Sequence, residues 1–223
     1  NNLLKPQDGR PVAVPTQDMV LGSYYLTIEK EGQKGEGKIF SNFNEAVLAY
    51  NSGEVSLHAP IKVRSYKTIN GEQKSKLIDA TVGRIIFNED IPQDLGFVDR
   101  TDPEKAFDLE ITFLADKKAL GKIVDRCIRV HGTTKTAIVL DKIKALGFKF
   151  STRGAITISV SDMEIPGAKK EFLSQAEEKV EKISKQFKRG LISDDERYNL
   201  VISTWNQTVD SVTKALMEHL DRF

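Results

Sequence analysis

The stretch KQFKRGLISDDERYNLV, Lys185 to Val201, lies between two long amphipathic patterns. Before it, Leu173, Ala176, Val180, Ile183 and Phe187 recur at steps of three and four. After it, Tyr198, Val201, Trp205, Val209, Val212 and Leu216 do the same. That spacing is the mark of a helix with one apolar stripe. Gly190 can end the first helix and Ser193 can cap the second, with Asp194, Asp195 and Glu196 placed in its positive first turn. The stretch therefore reads as the tip of an antiparallel helical hairpin of coiled-coil type. Heptad spacing assigns Tyr198 and Trp205 to its core rather than to base stacking. Glu196 and Arg197 are then expected to project outward. Pro166 fits the first turn of the incoming arm. Each arm comes to roughly 22 residues, about 33 Å.

Upstream of the hairpin the pattern changes. Residues 1–90 read as strand-rich: VLGSYYLTIEK and EVSLHAPIKVRSYKTI combine β-branched and aromatic residues with partial alternation. A short helix, Asn44 to Asn51, lies between them, with Asn44 as its cap. KTINGEQKSKLIDATVGRIIF carries an Asn-Gly pair, a hairpin-turn signal. Asp116 to Val130 is helical and stops at Gly132. A second helix, Lys135 to Leu146, is capped by Thr133 or Thr134 and stops at Gly147. FKFST and AITISVS read as two short strands joined across Arg153 and Gly154. The fold class is α+β: a mixed body over residues 1–161 and a helical hairpin over 162–223.

Charge and composition narrow the functions. Lys and Arg number 33 against 32 Asp and Glu, so bulk electrostatics does not announce nucleic acid or an anionic membrane as partner. No apolar run approaches the roughly 20 residues of a membrane helix. The opening NNLLKPQDGRPV has no signal-peptide pattern and reads as an internal stretch. The lone Cys127 has no partner for an internal disulfide and is expected as a small buried apolar residue in a reducing, cytoplasmic setting.

Candidate chemistry is sparse. GQKGEGK, Gly32 to Lys38, has P-loop spacing, but Ile39 stands where a magnesium-binding hydroxyl is needed and no helix follows directly. A solvated turn is the better reading. His58, His131 and His219 have no second ligand at metal spacing. His58 reads as a core or edge histidine, and His131 as a residue suited to a helix C-terminus. Glu89, Asp90 and Asp94 form one acidic turn cluster, far from the carboxylate density that holds two magnesium ions. No catalytic and no metal-binding residue is assigned. A body with a projecting hairpin and a charged tip is the anatomy of an interaction module.

Several collinear stretches resemble the large β′-type subunits of bacterial DNA-dependent RNA polymerase. They are NNLLKPQDGRPVAVPTQDMVLGSYYLT, FNEAVLAYNSGEVSLHAPIKVR, TVGRIIFNEDIP, LDKIKALGFKFSTRGAITISVSDMEIP and the hairpin with its tip GLISDDERYN. Together they cover essentially the whole chain. The family's magnesium-binding Asn-Ala-Asp-Phe-Asp-Gly-Asp motif is absent from the sequence. The resemblance therefore implies a non-catalytic piece, a pore domain followed by the rim hairpin of the secondary channel. It implies no cofactor in this stretch, with magnesium bound elsewhere in the full enzyme.

The resemblance implies more about function. In the family the secondary channel admits nucleoside triphosphates and receives the RNA 3′ end on backtracking, and the rim hairpin docks Gre-type transcript-cleavage factors. On this sequence the docking tip would be Arg189, Leu191, Ile192, Asp195, Glu196 and Arg197. Gln17 and Asp18 match a Gln-Asp pair near the active centre. They either face the nucleotide or 3′ end, or order a turn after Pro15 through side-chain to backbone bonds. The implied partners are the β, α and ω subunits, with DNA and RNA only within the full enzyme, and no membrane. The alternative of another class is a free-standing adaptor whose hairpin binds another coiled coil.

Overall fold

The computed structural model describes residues 4–7, 9, 11–69, 72–103 and 105–220. The chain divides into two compact units between Ile156 and Thr157.

The first unit opens with helix α1, Asp18–Thr27. Strand periodicity predicts a strand there, and the structure overturns it. The reason is packing: α1 lies so close to a later helix, α4 (Lys117–Gly154), that a Cβ on Gly22 would sit 1.8 Å from the carbonyl oxygen of Gly147. Gly22, Ser23, Leu26 and Thr27 are all buried. The buried face carries Gly, Ser and Thr while Leu21 and Tyr24 are exposed, so the helix lacks the apolar stripe by which sequence finds it. Its buried hydroxyls are satisfied. Ser23 Oγ donates to the Met19 carbonyl at 2.8 Å and Thr27 Oγ1 to that of Ser23 at 2.9 Å. Thr27 Oγ1 also accepts from the Ala115 amide at 2.8 Å, tying in the entry to α4.

A glycine-rich turn leads to β1 (Ile39–Phe40), then helix α2 (Phe43–Asn51), β2 (Ile61–Ile69) and β3 (Glu72–Ala80). The cap of α2 is Asn42, two residues before the expected Asn44; its side chain accepts from the Glu45 amide. The sheet order is β1-β2-β3, with β1 parallel and β3 antiparallel to β2. Register runs from Ile61 opposite Ala80 to Ile69 opposite Glu72, so β2 and β3 form the expected hairpin. Asn70 and Gly71, the expected turn, lie outside the described residues. The stretch 54–60, expected as part of a strand, is instead turns and bends that bury Val55, Leu57 and Ala59.

Helix α3, Val82–Glu89, replaces the strand expected through Phe87. Thr81 caps it by accepting from the Arg84 amide at 3.2 Å. Val82, Ile85 and Phe87 enter the core, and a Cβ on Gly83 would meet the Leu26 carbonyl oxygen at 1.9 Å.

Helix α4 loses helical geometry at Gly132 (φ 75°, ψ −179°), the expected stop. It then runs through Gly147 to Gly154, against expectation. Gly147 is a contact glycine here: its Cβ would fall 2.6 Å from Met19 Cα. FKFST is helical, with Phe150 buried beside Val139 and Ile143. AITISVS forms no strand; Ala155 takes a left-handed conformation, and a 3₁₀ turn covers Val160–Asp162. Cys127 is buried, as expected.

The second unit pairs α5 (Lys169–Lys188) with α6 (Asp194–Leu220), about 30 and 40 Å long. Arg197 stacks on Phe187 near the tip, while His219 Nε2 lies 3.0 Å from Glu164 Oε2 near the other end, so the arms run antiparallel. The seam differs from the heptad expectation. Tyr198 and Val209 are exposed, at 59% and 60%. Val201, Trp205, Val212 and Leu216 of the expected stripe are half-buried, and Thr204, Thr208, Ala215 and His219 join them. Threonines fit this seam because their hydroxyls bond within α6: Thr204 Oγ1 to the Leu200 carbonyl and Thr208 Oγ1 to that of Thr204, both at 2.8 Å. Trp205 is half-buried.

Candidate functional site

Two places carry the sequence-derived candidates. The first is the hairpin tip. Helix α5 ends in a Schellman turn: the Leu191 amide donates to the Gln186 carbonyl at 3.1 Å and the Gly190 amide to that of Phe187 at 2.9 Å. Gly190 takes φ 70°, which a side chain would strain. Helix α6 starts with a capping box. Ser193 Oγ accepts from the Glu196 amide at 3.2 Å, and the Ser193 amide donates to Glu196 Oε2 at 2.9 Å.

Glu196 and Arg197 therefore do not project outward. Glu196 folds back on the cap. Arg197 is half-buried, its Nε donating to Asp194 Oδ1 at 2.8 Å while its guanidinium lies 5.3 Å from the centre of the Phe187 ring. The signal for this was legible as Ser-x-x-Glu at 193–196. Arg189 is exposed at the end of α5, Leu191 is 67% exposed, and Ile192 is half-buried. Asp195 is exposed and makes no hydrogen bond or ion pair among the described residues. The tip thus presents Arg189, Leu191 and Asp195 on a backbone fixed by two interlocking caps.

The second place is the start of α1. The Met19 amide donates to the Thr16 carbonyl at 3.1 Å, closing a turn in which Gln17 takes φ 49° and ψ −123°. These are the angles of the first central residue of a type II′ turn, where glycine is the usual occupant. A glutamine there stores backbone strain, which concentrates at functional positions. Neither Gln17 nor Asp18 makes a side-chain hydrogen bond among the described residues, so the turn is ordered by backbone alone. Both are exposed. Beside them a shallow groove of about 450 Å³ is lined by Gln17, Val20, Leu21, Tyr24, Asp116 and Lys117.

The remaining candidates disperse. Asp90 pairs with Lys142 at 2.7 Å and Asp94 bonds to His131 at 2.6 Å, so the acidic cluster is split between two side chains of α4. Lys38 pairs with Glu54 at 3.4 Å at the end of the glycine turn. His58 is buried, its Nε2 donating to the Tyr25 carbonyl at 2.7 Å, and burial pushes its pKa below the usual histidine value. Among the described residues no group of three or more His, Cys, Asp or Glu side chains gathers to hold a metal ion. No helix among them is long and apolar enough to cross a membrane.

Residues 2–163 match the family model described as RNA polymerase Rpb1, domain 3. The chain belongs to this family. The relatives place it with the bacterial form. It is 66% identical over all 223 residues to DNA-directed RNA polymerase subunit beta′ of Acetivibrio thermocellus. The identity is 63% to that subunit of Caldanaerobacter subterraneus subsp. tengcongensis and 60% to that of Clostridium acetobutylicum, again over the whole chain. The chain spans 19% of the length of each of these relatives. The family match covers the body and stops at residue 163, while the relatives match the helical pair as well.

Proposed function

We propose that this chain is a stretch of the β′ subunit of a DNA-directed RNA polymerase, working in DNA-templated transcription beside the β, α and ω subunits. In this reading it walls the secondary channel that admits nucleoside triphosphates and takes in backtracked RNA. Gln17 and Asp18 lie towards the nucleotide or the RNA 3′ end, and the hairpin tip docks a Gre-type transcript-cleavage factor. Catalysis belongs to magnesium-binding residues outside this stretch.

One observation carries the docking role: a large apolar side chain, Leu191, stands 67% exposed at the end of a doubly capped hairpin. An exposed apolar residue on a fixed backbone costs little entropy to bury against a partner. Beside it, Arg189 and Asp195 offer charges of both signs, which set orientation more than affinity. A rigid arm of about 30–40 Å holds its tip at a fixed distance and angle from its base. A factor gripping the tip is thereby aimed.

The test uses the full polymerase carrying Leu191→Ser together with Asp195→Ala. Factor-stimulated RNA cleavage at subsaturating factor should fall by about fivefold or more, the loss of one modest hot spot. Elongation without the factor serves as the control. Stimulated cleavage equal to that of the parent enzyme would remove the tip from the docking surface.

A further inference from the structure

AITISVS, residues 155–161, alternates Ile156, Ile158 and Val160 with Thr157, Ser159 and Ser161, the period of a half-buried strand. Nothing among the described residues buries it. Ile158 is 72% exposed and Val160 93%, more than any other large apolar side chain there. Ile156, Met163 and Ile165 are exposed too, so five large apolar side chains crowd ten residues at the surface. A contiguous apolar stretch of this kind marks an interaction surface.

The backbone is unpaired as well. No amide or carbonyl of Ile156, Thr157 or Ile158 makes a hydrogen bond among the described residues. Both ends of the stretch are nevertheless fixed. Ala155 turns the chain out of α4 at φ 46°. At the other end the Ser159 amide donates to Asp162 Oδ2 at 2.7 Å and Ser159 Oγ accepts from the Ser161 amide at 3.2 Å, which closes a capping box. Ser159 itself is extended, with φ −98° and ψ 156°. Exposed strand edges are usually guarded by a charge or a proline, and AITISVS has neither. A helix laid on the isoleucines would leave the free amides and carbonyls unused. An added strand uses both: its backbone gives affinity, and alternate side chains give specificity.

We propose that residues 156–159 become a strand by pairing with a β-strand from another part of the same polypeptide, with Ile156, Ile158 and Val160 packed on the apolar face so formed. This rests on the reading of the chain as a stretch of a longer β′ subunit. The matched residues are 19% of the length of each relative, so such a subunit has ample chain to supply the strand. Tethering gives that strand an effective concentration of up to about millimolar, which favours it over a strand of another molecule. Neither the hairpin tip nor the Gln17 turn takes part.

Hydrogen exchange in the full polymerase, read amide by amide, tests this against the 223-residue chain. A strand paired on one edge protects alternate amides. Either Ile156 and Ile158, or Thr157, should exchange about tenfold or more slowly in the polymerase, the scale of one net hydrogen bond. Three amides that all exchange as in the 223-residue chain, or that are all slowed alike, overturn the pairing. Val160→Asp should return the slowed amides towards the rate of the 223-residue chain. If that variant does not assemble, a photo-crosslinking benzoylphenylalanine at Ile158 decides. It should crosslink to a peptide of the same polypeptide outside these residues; a crosslink confined to another subunit, or none, overturns the proposal. Alternating protection in a polypeptide that does not assemble with the other subunits would keep this strand and remove the polymerase reading.

Discussion

Gly22→Ala should destabilise the first unit, although alanine is the better helix former. The added Cβ would lie 1.8 Å from the carbonyl oxygen of Gly147, and ordinary contact begins near 3.4 Å. The neighbour is backbone, so no side chain can swing away. Helices α1 and α4 must separate by roughly the 1.6 Å difference, loosening the close packing that both helices share. Overpacking of this kind costs about 1–3 kcal/mol and occasionally more. Helix propensity returns about 1 kcal/mol. With backbone against backbone the upper end applies, and the net loss should be about 2 kcal/mol. In a unit of this size that lowers the melting temperature by about 4–8 °C. Helix α4 supplies the control. Gly121, in α4, has nothing within 4 Å of its added Cβ, so Gly121→Ala should stabilise by about 0.5–1 kcal/mol. Calorimetry of the three proteins at one pH decides. A Gly22→Ala protein as stable as Gly121→Ala would refute the close crossing.

Four further outcomes follow from other parts of the structure. Glu110 is buried and accepts from Arg100 Nη2 at 2.8 Å, so Glu110→Ala should cost about 3 kcal/mol or more, read by urea unfolding. Burial lowers the folded pKa of His58 below its unfolded value near 6.5. Its contribution is therefore fully present above about pH 6.5 and is lost as pH falls through the folded pKa; His58→Gln should flatten that part of the stability–pH curve. Trp205 is half-buried, so Trp205→Ala should cost about 2 kcal/mol, less than the 3–5 of a fully buried site, and should speed amide exchange in both arms. Glu196→Ala removes one half of the capping box and should lower hairpin stability by about 1 kcal/mol, so factor-binding data on that variant must be read against its melting curve.

Local chemistry that repeats or punctuates was legible in the sequence. The helical pair was readable from its apolar period, its turn from Gly190, and the β2–β3 hairpin from Asn-Gly between β-branched runs. The break at Gly132 was readable because a glycine there is flanked by two helical patterns. The burial of Cys127 needed only residue types and neighbours. The collinear stretches also carry the family membership.

Tertiary structure decided what depends on a distant neighbour. Helix α1 reads as a strand because its buried face is built largely of Gly22, Ser23 and Thr27 while Leu21 and Tyr24 stand outside, and only the close approach of α4 and α3 makes small residues the right ones to bury. Gly147 reads as a stop because glycine commonly ends helices, yet here it lets a backbone approach; the two uses leave the same letter. FKFST is helical because Phe150 continues the buried face that carries Val139 and Ile143, a burial no local propensity records. At the tip, side-chain partners separated Glu196, engaged in the cap, and Arg197, engaged by Asp194 and Phe187, from Leu191 and Asp195.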